Sequence, residues 1–493
     1  MNLFKSTTTF SFFTLLSRLL GYIRDILIAI FLGSGPFADA FFVAFRIPNT
    51  FRRLFSEGTF NAAFVPSYSS ELTKGHNQSK KFATNILSLL IFFLLNVILL
   101  IEVFMPLFIH LIAPGFTNES EKMDLAISLT RITFPFLFFV SISSFFSAIL
   151  NSHNRFAVAA ATPIILNVFL IFILFFGKYL KDDLVYYLSY AITLAGITQL
   201  LILYFFVKKF YIPKISFNIK FSNKIKIFFK KLLPSIFSSG VTQINILIGT
   251  IIASFQASAV SYLYYADRIY QINLAVAGIA IGVVILPKLS KLIASNNKNE
   301  IEKIQNKALE LSFFLSIPAT LALLIAAEPI TSSLFGYGKF TEISVSKTSS
   351  ALFYFSIGLP AFALIKVFSS FFFARHNTKI PFYISLISVL INIMISVSLF
   401  KSLGFIIIPI ATTISSWINA FFLYIYLIKK NFFSVNKLLM FRLPRIFFSS
   451  GMMGIILYFL INNFSTYLSY YQNFKIIYLL VIILIALIIH LRN

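Results

Sequence analysis

The sequence predicts an all-α protein that crosses a lipid bilayer many times. The chain has 493 residues, of which 58% are hydrophobic and only 12% are charged. A soluble chain would carry about twice that charged fraction. Apolar runs of about 20 residues, the length that a helix needs to span the hydrocarbon core, recur from one end of the chain to the other. The first run holds Arg18 and Arg24 and lacks a small-residue cleavage site, so we expect it to be retained rather than cleaved as a signal peptide.

Fourteen apolar runs each predict one transmembrane helix. An even number of spans places both termini on the same side of the membrane. That side is expected to be cytoplasmic, because cytoplasmic loops carry an excess of Lys and Arg and the loop 208–231 alone holds eight lysines. The acidic residues Glu119, Glu121, Asp182 and Asp183 fall in loops on the other side. The predicted spans are approximately 8–33, 37–65, 82–112, 124–151, 157–178, 184–207, 229–255, 259–287, 308–335, 349–374, 381–400, 403–428, 442–463 and 472–491.

The loop 208–231 divides the first twelve spans into two groups of six. The segment AFVPSYSSEL (63–72) resembles VILPKLSKLI (284–293), and at the same offset of about 221 residues Arg46 falls beside Arg268. Repeated halves with a binding site between them are typical of secondary transporters. The predicted domains are an N-terminal lobe (1–210), a basic cytoplasmic linker (211–231), a C-terminal lobe (232–430) and an appended pair of spans thirteen and fourteen (431–493).

Composition excludes several classes of function. The chain has no cysteine, and its five histidines are scattered without the spacing of metal ligands or of a catalytic base. We therefore expect no metal, no cofactor and no enzymatic activity. The basic cytoplasmic loops account for most of the net charge of +25, so nucleic-acid binding is not needed to explain it.

Residues 17–66 depart from the apolar pattern, because they carry five arginines within predicted spans. An arginine at the centre of a membrane helix costs about 2.5–3.5 kcal/mol on insertion scales, so such residues rarely face lipid. The polar residues of the first span fall within one arc of about 120° around the helix. Gly21 leaves space within this arc, whose other members are Thr14, Ser17, Arg18, Arg24 and Asp25. A buried strut between Arg18 and Asp25 is an alternative, and it would still leave one arginine over.

The second span repeats this pattern of charges on one side of a helix. Four charged residues recur near heptad spacing: Asp39, Arg46, Arg53 and Glu57. One of Arg52 and Arg53 could instead extend to the cytoplasmic interface. Asp39 could close a gate by pairing with a basic residue, or it could cap the helix.

A third cationic segment lies in the second half of the chain, at SYLYYADRIYQINL (261–274). A guanidinium group can bond two phosphate oxygens while neighbouring hydroxyl and amide groups satisfy the rest. The two halves together predict a positively charged cavity for an anionic substrate. Tyr262 and Tyr270 are expected to pack at the membrane interface or in the core. The residues that share one face are Ser261, Tyr264, Tyr265, Arg268 and Gln271, with Asp267 about 100° away.

Seven segments carry a resemblance to a known family: SRLLGYIRD, ADAFFVAFRIPN, RRLFSEGTFNAAFVP, RITFPF, AILNSHNRFA, YYADR and LFGYGKFT. In this order they resemble the bacterial MurJ (MviN) flippases of the multidrug/oligosaccharidyl-lipid/polysaccharide superfamily. The resemblance implies transfer of lipid II, the undecaprenyl-diphosphate-linked peptidoglycan precursor, from the cytoplasmic to the outer leaflet of the inner membrane by alternating access. It also implies two six-helix lobes that form a V around a central cationic cavity, with two C-terminal helices bordering a groove for the lipid tail.

The resemblance also implies roles for individual residues. The family's cavity arginines, which engage the diphosphate and sugar head, fall here on Arg18, Arg24, Arg52 and Arg268. Further candidate binding residues are Ser17, Arg53, Ser261 and Gln271. Candidate gating residues and ion pairs are Asp25, Asp39, Glu57, Arg46 and Asp267.

Two departures from the family pattern concern negative charge. This chain has Gln271 where the family often has Glu, and its seventh span lacks the acidic residue through which some members bind sodium. A sodium site is therefore not expected. We expect the membrane potential to drive transport instead, since it acts on net charge with about 2.3 kcal/mol per unit charge per 100 mV.

Three other functions stay open on the sequence. A flippase for another polyprenyl-diphosphate sugar, such as an O-antigen or capsule unit, would share the anionic head group. A membrane enzyme would need a base or metal ligand in a large extramembrane loop. A scaffold for wall synthesis or division would not explain buried arginines. The expected partners are lipid II and membrane lipids, with cell-wall synthesis and division proteins as further candidates.

Overall fold

Every element of the described chain is a helix. The computed structural model describes residues 3–56, 59–216 and 223–492. Contacts divide the chain into two compact units, Met1–Ser258 and Ala259–Asn493. The all-helical fold expected from composition is confirmed for the part of the chain that is described. The structure describes the backbone alone at residues 3–10, 51–56, 59, 61, 62, 223, 224, 227, 231, 233–239, 242, 489, 491 and 492.

The N-terminal unit is built from eleven helices: α1 (Leu3–Leu32), α2 (Pro36–Ser56), α3 (Thr59–Leu72), α4 (His76–Val103), α5 (Met105–Ile112), α6 (Ser120–Thr133), α7 (Phe136–Ser152), α8 (Phe156–Phe175), α9 (Gly177–Leu180), α10 (Leu184–Val207) and α11 (Asn223–Ala253). α1 packs along α8, α2 along α6, and α7 along α10. The charged helices α1 and α2 are therefore each covered by a later helix of the same unit.

α11 also belongs to the N-terminal unit by its contacts, because it packs against α3 and α2. Aromatic side chains of four helices meet in one core there. The ring of Phe64 lies 5.0 Å from Phe145 and 6.3 Å from Phe228, between ring centroids. The predicted lobes, 1–210 and 232–430, were drawn from the internal repeat, whereas the two units are defined by contacts. The lobes therefore stay a prediction.

The C-terminal unit is built from another eleven helices: α12 (Ala259–Leu274), α13 (Ile281–Ala294), α14 (Lys298–Ile325), α15 (Ala327–Phe335), α16 (Glu342–Ile357), α17 (Leu359–Phe373), α18 (Lys379–Leu403), α19 (Ile407–Lys429), α20 (Lys437–Asn463), α21 (Ser465–Leu468) and α22 (Lys475–Arg492). α20 and α22 pack on each other, and α20 packs on α14. Arg442 of α20 pairs with Glu310 of α14 at 2.8 Å, which fastens α20 to the unit.

Eight segments of the described chain are long and apolar enough to cross a membrane, or nine if the bent pair α16 and α17 forms one span. One of the eight, Lys379–Lys429, holds both α18 and α19, which pack along each other as a hairpin. The chain reverses between them at Gly404, whose φ of 60° and ψ of −151° are a combination that only glycine adopts readily. The protein is thus a multi-pass membrane protein. The full count of fourteen spans stays a prediction.

The helices repeat along the chain with a period of about 222 residues. Both α3 and α13 hold an internal proline, Pro66 and Pro287. Arg46 of α2 and Arg268 of α12 lie in corresponding helices. The internal repeat indicated by the sequence is therefore confirmed in the order of elements. Corresponding helices begin at His76 and Lys298, at Met105 and Ala327, and at Ser120 and Glu342.

Candidate substrate-binding site

Arg24 lies at the centre of a buried polar cluster between α1 and α8. Its Nε and Nη2 donate to Oδ1 of Asp25 at 3.0 and 2.7 Å, and its Nη1 donates to Oδ1 of Asn167 at 2.9 Å. The Nδ2 of Asn167 donates in turn to the main-chain carbonyl of Ser17 at 2.9 Å. Arg24 is 6% exposed and Asp25 is 2% exposed. α8 therefore supplies the residue that fixes the Arg24 side chain against α1.

The observed ion pair differs from the strut considered on the sequence. Asp25 pairs with its neighbour Arg24, whereas Arg18 is exposed and has no ion pair among the described residues. The space beside Gly21 is occupied, because a Cβ there would lie 3.6 Å from the Asn167 side chain. A buried cation paired with an acid contributes little net charge. Among the described side chains of α1, Arg18 is therefore the one that presents an accessible positive charge in this conformation.

Asp39 of α2 has a basic partner on α6. The Nζ of Lys122 lies 3.0 Å from Oδ2 of Asp39, and both side chains are almost fully buried. Lys122 also lies 4.3 Å from the centroid of the Phe116 ring and 3.9 Å from Glu119. Of the two roles predicted for Asp39, pairing with a basic residue is the one that these contacts support.

The other charged residues of α2 are only partly described. Arg46 is half-buried and donates a hydrogen bond to the hydroxyl of Thr250 on α11. This predicted gating residue therefore joins α2 to α11. The side chains of Arg52 and Arg53, at the end of α2, and the whole of Glu57 lie outside the described residues.

In the C-terminal unit, Arg268 of α12 is positioned by Tyr264. Its Nη2 donates to the Tyr264 hydroxyl at 2.9 Å, and its Cζ lies 4.7 Å from the centroid of the same ring. Tyr264 is buried, whereas Arg268 is half-buried. The prediction that these two side chains share a face is confirmed. A guanidinium plane held by both contacts is suited to bidentate phosphate binding, which depends on a fixed fork of donors.

Tyr265 packs in the core and not beside Arg268, contrary to the shared face predicted for it. Its ring is fully buried and lies 5.0 Å from the rings of both Phe335 and Phe340. Successive residues of a helix point about 100° apart, so the side chains of Tyr264 and Tyr265 contact different neighbours. Tyr262 and Tyr270 pack against phenylalanine rings, as expected.

Gln271 and Asp267 contact each other within one turn of α12, where the Nε2 of Gln271 donates to Oδ2 of Asp267. A glutamate at position 271 would place a second carboxylate four residues from Asp267, and like charges at that spacing repel. The amide of Gln271 therefore forms a hydrogen bond with Asp267, where a glutamate would repel it. Ser261, the other candidate binding residue of this helix, is fully buried.

Two residues of these clusters, Asn167 and Lys122, were not predicted from the sequence. Asn167 lies 143 residues from Arg24 along the chain, and the available signal was an asparagine in an otherwise apolar span. Such a side chain needs a partner, because polar groups inside a membrane are costly when unpaired. Lys122 gave no comparable signal, since it falls before the predicted fourth span, in a loop where a lysine is ordinary.

No metal site is found among the described residues, where no group of three or more His, Asp or Glu side chains is placed to hold an ion. Lys366 of α17, another cation at predicted membrane depth, is exposed. The described cationic side chains differ in how exposed they are. Arg24 and Lys122 are buried and paired with acids, whereas Arg18 and Lys366 are exposed.

Comparison with known proteins finds relatives over nearly the whole chain. The profile of a family described as lipid II flippase MurJ matches residues 28–479. A probable lipid II flippase MurJ of Rhizobium meliloti (strain 1021) is 39% identical over 469 residues, covering 93% of this chain and 86% of the relative. Another, of Rickettsia prowazekii (strain Madrid E), is 37% identical and covers 95% of this chain and 92% of its own.

Solved structures show the same relationship. A lipid II flippase MurJ in an inward closed conformation superposes with a TM-score of 0.82 and 28% identity, covering 97% of each chain. An inward-facing multidrug resistance MATE family transporter of the MOP superfamily superposes with a TM-score of 0.70 and 15% identity, covering 84% of this chain and 94% of its own. The second likeness concerns the fold alone.

Proposed function

The chain belongs to the lipid II flippase MurJ family, and from that premise we propose that it transfers lipid II from the cytoplasmic to the outer leaflet of the bacterial inner membrane. The observation that carries this proposal is the family match over residues 28–479. The relatives described above are named for lipid II, which favours this substrate over an O-antigen or capsule lipid. The protein is a transporter and not an enzyme.

The proposed substrate requires a cationic path. A diphosphate cannot cross about 30 Å of hydrocarbon unassisted, because an unpaired charge is strongly disfavoured in an apolar medium. Arginine side chains carried on membrane helices lower that cost by offering charge-assisted hydrogen bonds. The arginines of α1, α2 and α12 are the residues that we propose for this role.

We assign the head group to Arg18, Arg24, Arg52 and Arg268, with Ser17, Arg53, Ser261 and Gln271 as further binding residues. The exposure of Arg18 and the positioning of Arg268 by Tyr264 support this assignment. Arg24 would engage the substrate only after a change, because Asp25 occupies one edge of its guanidinium group. A phosphate oxygen would therefore replace or share the Asp25 contact when lipid II binds.

Alternating access would be accompanied by changes in two contacts of α2. The Asp39–Lys122 ion pair joins α2 to α6, and the Arg46 hydrogen bond joins α2 to α11. We propose that these contacts form and break as the site opens to each side of the membrane. Glu57 and Asp267 are the remaining candidates for gating.

We propose the following arrangement in the membrane: fourteen spans, both termini in the cytoplasm, two six-helix lobes in a V around the cavity, and α20 and α22 bordering a groove for the lipid tail. The repeated order of helices supports the two lobes. Membrane potential is the proposed driving force. The sequence of α11 contains no Asp or Glu that could bind sodium.

A leaflet-accessibility assay tests the proposed function. In cells depleted of their own lipid II flippase, expression of this chain should restore labelling of lipid II by a reagent that cannot enter the cell. The Arg268→Ala variant should not restore it, whereas Arg155→Ala, which changes an exposed loop residue, should behave as the parent. Absence of labelled lipid II despite normal insertion of the parent chain would contradict the proposal, and rescue of an O-antigen flippase instead would identify the other substrate.

A further inference from the structure

The segment that follows α10 folds back onto the N-terminal unit. We call residues 208–216 the strap. Tyr211 is fully buried, and its hydroxyl lies 3.1 Å from Oγ1 of Thr84 on α4. At the end of the strap, the N–H of Ser216 donates to Oγ of Ser88 at 2.8 Å. Both contacts are made with α4, so the strap is fastened along one helix of the unit.

The outward side of the strap is both cationic and apolar. Lys208, Lys209 and Lys214 are exposed. Ile212 and Ile215 are 62% and 58% exposed. They lie on the same segment as Tyr211 and Ser216, whose contacts with α4 fix its position. Apolar side chains displayed in this way are disfavoured in water but stabilised at the boundary between lipid head groups and acyl chains.

The beginning of α11 continues the same surface. Ile225 and Phe228 pack in the hydrophobic cluster that also contains Tyr211. On the opposite side of this part of α11, Lys226 and Lys230 are exposed. The strap and the start of α11 therefore present five described lysines around one anchored core.

We propose that the strap and the first turns of α11 bind anionic phospholipid head groups. No Asp or Glu occurs between residues 184 and 266, so this stretch contains nothing that would neutralise its own lysines. Clusters of about 4–8 basic residues beside a membrane helix attract anionic lipids. The exposed isoleucines favour a lipid over a soluble polyanion as the partner, because acyl chains can cover them and a soluble polyanion cannot.

Lipid bound at this surface would act on α11. The strap precedes α11, and α11 is the helix whose Thr250 receives the hydrogen bond of Arg46. Anionic lipid would hold the start of α11 at the membrane surface. The proposal concerns the lipid that surrounds the protein and is separate from binding of the transported substrate.

A fluorescent label on the strap tests the proposal directly. The chain has no cysteine, so Ile212→Cys introduces a single labelling site for the polarity-sensitive fluorophore NBD. The full-length protein is placed in nanodiscs of pure phosphatidylcholine or of phosphatidylcholine with phosphatidylglycerol. We expect brighter, blue-shifted emission in the anionic nanodiscs, and quenching by doxyl-labelled lipid.

Removal of charge should weaken this response. In the background of the labelled protein, Lys208→Gln, Lys209→Gln and Lys214→Gln together should weaken the preference for anionic lipid by about fivefold per lysine, the equivalent of about 1 kcal/mol each. The matched control replaces three exposed lysines elsewhere by glutamine: Lys178, Lys347 and Lys401. This control should keep the response, and the thermal unfolding of both variants verifies that they are folded.

Three results would overturn the proposal. Equal emission in the two kinds of nanodisc would show that the strap does not sense anionic lipid. An anionic preference that survives the triple strap variant would show that these lysines do not carry it. A shift in emission without quenching by doxyl lipid would assign the surface to a contact other than lipid.

Discussion

Asn167 contacts two parts of α1 at once, the Arg24 guanidinium group and the Ser17 carbonyl. The Asn167→Leu variant would remove both bonds and keep a side chain that branches at the same carbon. A buried donor or acceptor left unsatisfied costs about 1–3 kcal/mol, so we expect a small loss of stability and a larger loss of transport, because Arg24 is no longer held. The leaflet-accessibility assay measures transport, and thermal unfolding measures stability.

Asn167→Asp is the informative companion to Asn167→Leu. It keeps an acceptor for Arg24 but places a second carboxylate beside that cation. We expect tighter retention of Arg24 and therefore slow transport, together with a loss of stability, because the Ser17 carbonyl loses its donor. Normal transport by Asn167→Leu would show that Asn167 does not position Arg24 for function.

The Asp39–Lys122 pair gives a prediction about stability. Removal of one partner of a buried ion pair typically costs about 3–5 kcal/mol, because the other charge stays buried without compensation. We expect Asp39→Leu to lower the unfolding temperature strongly, with some relief from Glu119, which lies 3.9 Å from Lys122. The double variant Asp39→Leu, Lys122→Met should recover most of the loss.

Thermal unfolding of the two variants in the same detergent checks this prediction. The double variant removes both charges and keeps apolar volume, so it separates the cost of an unpaired charge from the cost of poor packing. If the double variant unfolds at as low a temperature as the single one, the ion pair is not what stabilises this contact.

The residues around Arg24 show which features of the site can be predicted from the sequence. Helical periodicity placed Arg24 and Asp25 on one polar face of α1, and both are in one cluster. Periodicity does not show which neighbouring helix covers a given face. The sequence therefore predicted open space beside Gly21, whereas in the structure Asn167 of α8 fills that space. The strut between Arg18 and Asp25, an alternative on the sequence, is not formed, because Asp25 pairs with the adjacent Arg24.

At the scale of elements, the strap and α7 meet at His153, which follows α7. The ring of Phe210 stacks on His153 at 4.4 Å, and the Tyr68 hydroxyl lies 3.4 Å from its Nε2. Burial lowers the pKa of His153 from its usual 6.5, and the charge of His76 lowers it further. The folded state therefore disfavours the protonated ring.

This lowered pKa predicts a dependence on pH. A group whose folded pKa lies below its unfolded pKa binds fewer protons when folded, so its contribution is complete above the unfolded value and is lost as pH falls below about 6.5. We expect the unfolding temperature to fall between pH 7.5 and 5.5, and His153→Gln to reduce that fall. An identical pH dependence in His153→Gln would place the effect at other groups.

The breaks between helices were less predictable than the helices. Residues 349–374 are predicted as one span, and the structure divides this stretch between α16 and α17, which meet at a bend of 44°. A Cβ at Gly358, between them, would lie 2.8 Å from the Thr413 hydroxyl oxygen of α19. Hydropathy detects the apolar character of such a segment, whereas the close approach of another helix depends on packing that hydropathy does not contain.

At the scale of the whole molecule, the repeat of about 222 residues organises the chain. The sequence indicated the repeat from one ten-residue match and one pair of arginines, and the helix order extends it over most of the chain. The family could be recognised from its motifs because charged residues within apolar helices are rare and therefore distinctive. The partners of those charges came from distant helices, and only coordinates could identify them.

We propose that arginine side chains of α1 and α12 bind the diphosphate of lipid II. Binding of lipid II to the purified full-length protein, measured by native mass spectrometry, tests it with Arg18→Ala, Arg24→Ala and Arg268→Ala, each beside its Lys counterpart. The exposed loop variant Arg155→Ala serves as the control.

We predict that each Ala variant loses lipid II while it keeps its fold, and that each Lys variant binds weakly, because an ammonium group cannot bond two phosphate oxygens as a guanidinium fork does. The control should bind as the parent does. Parental affinity in all three Ala variants would contradict the claim.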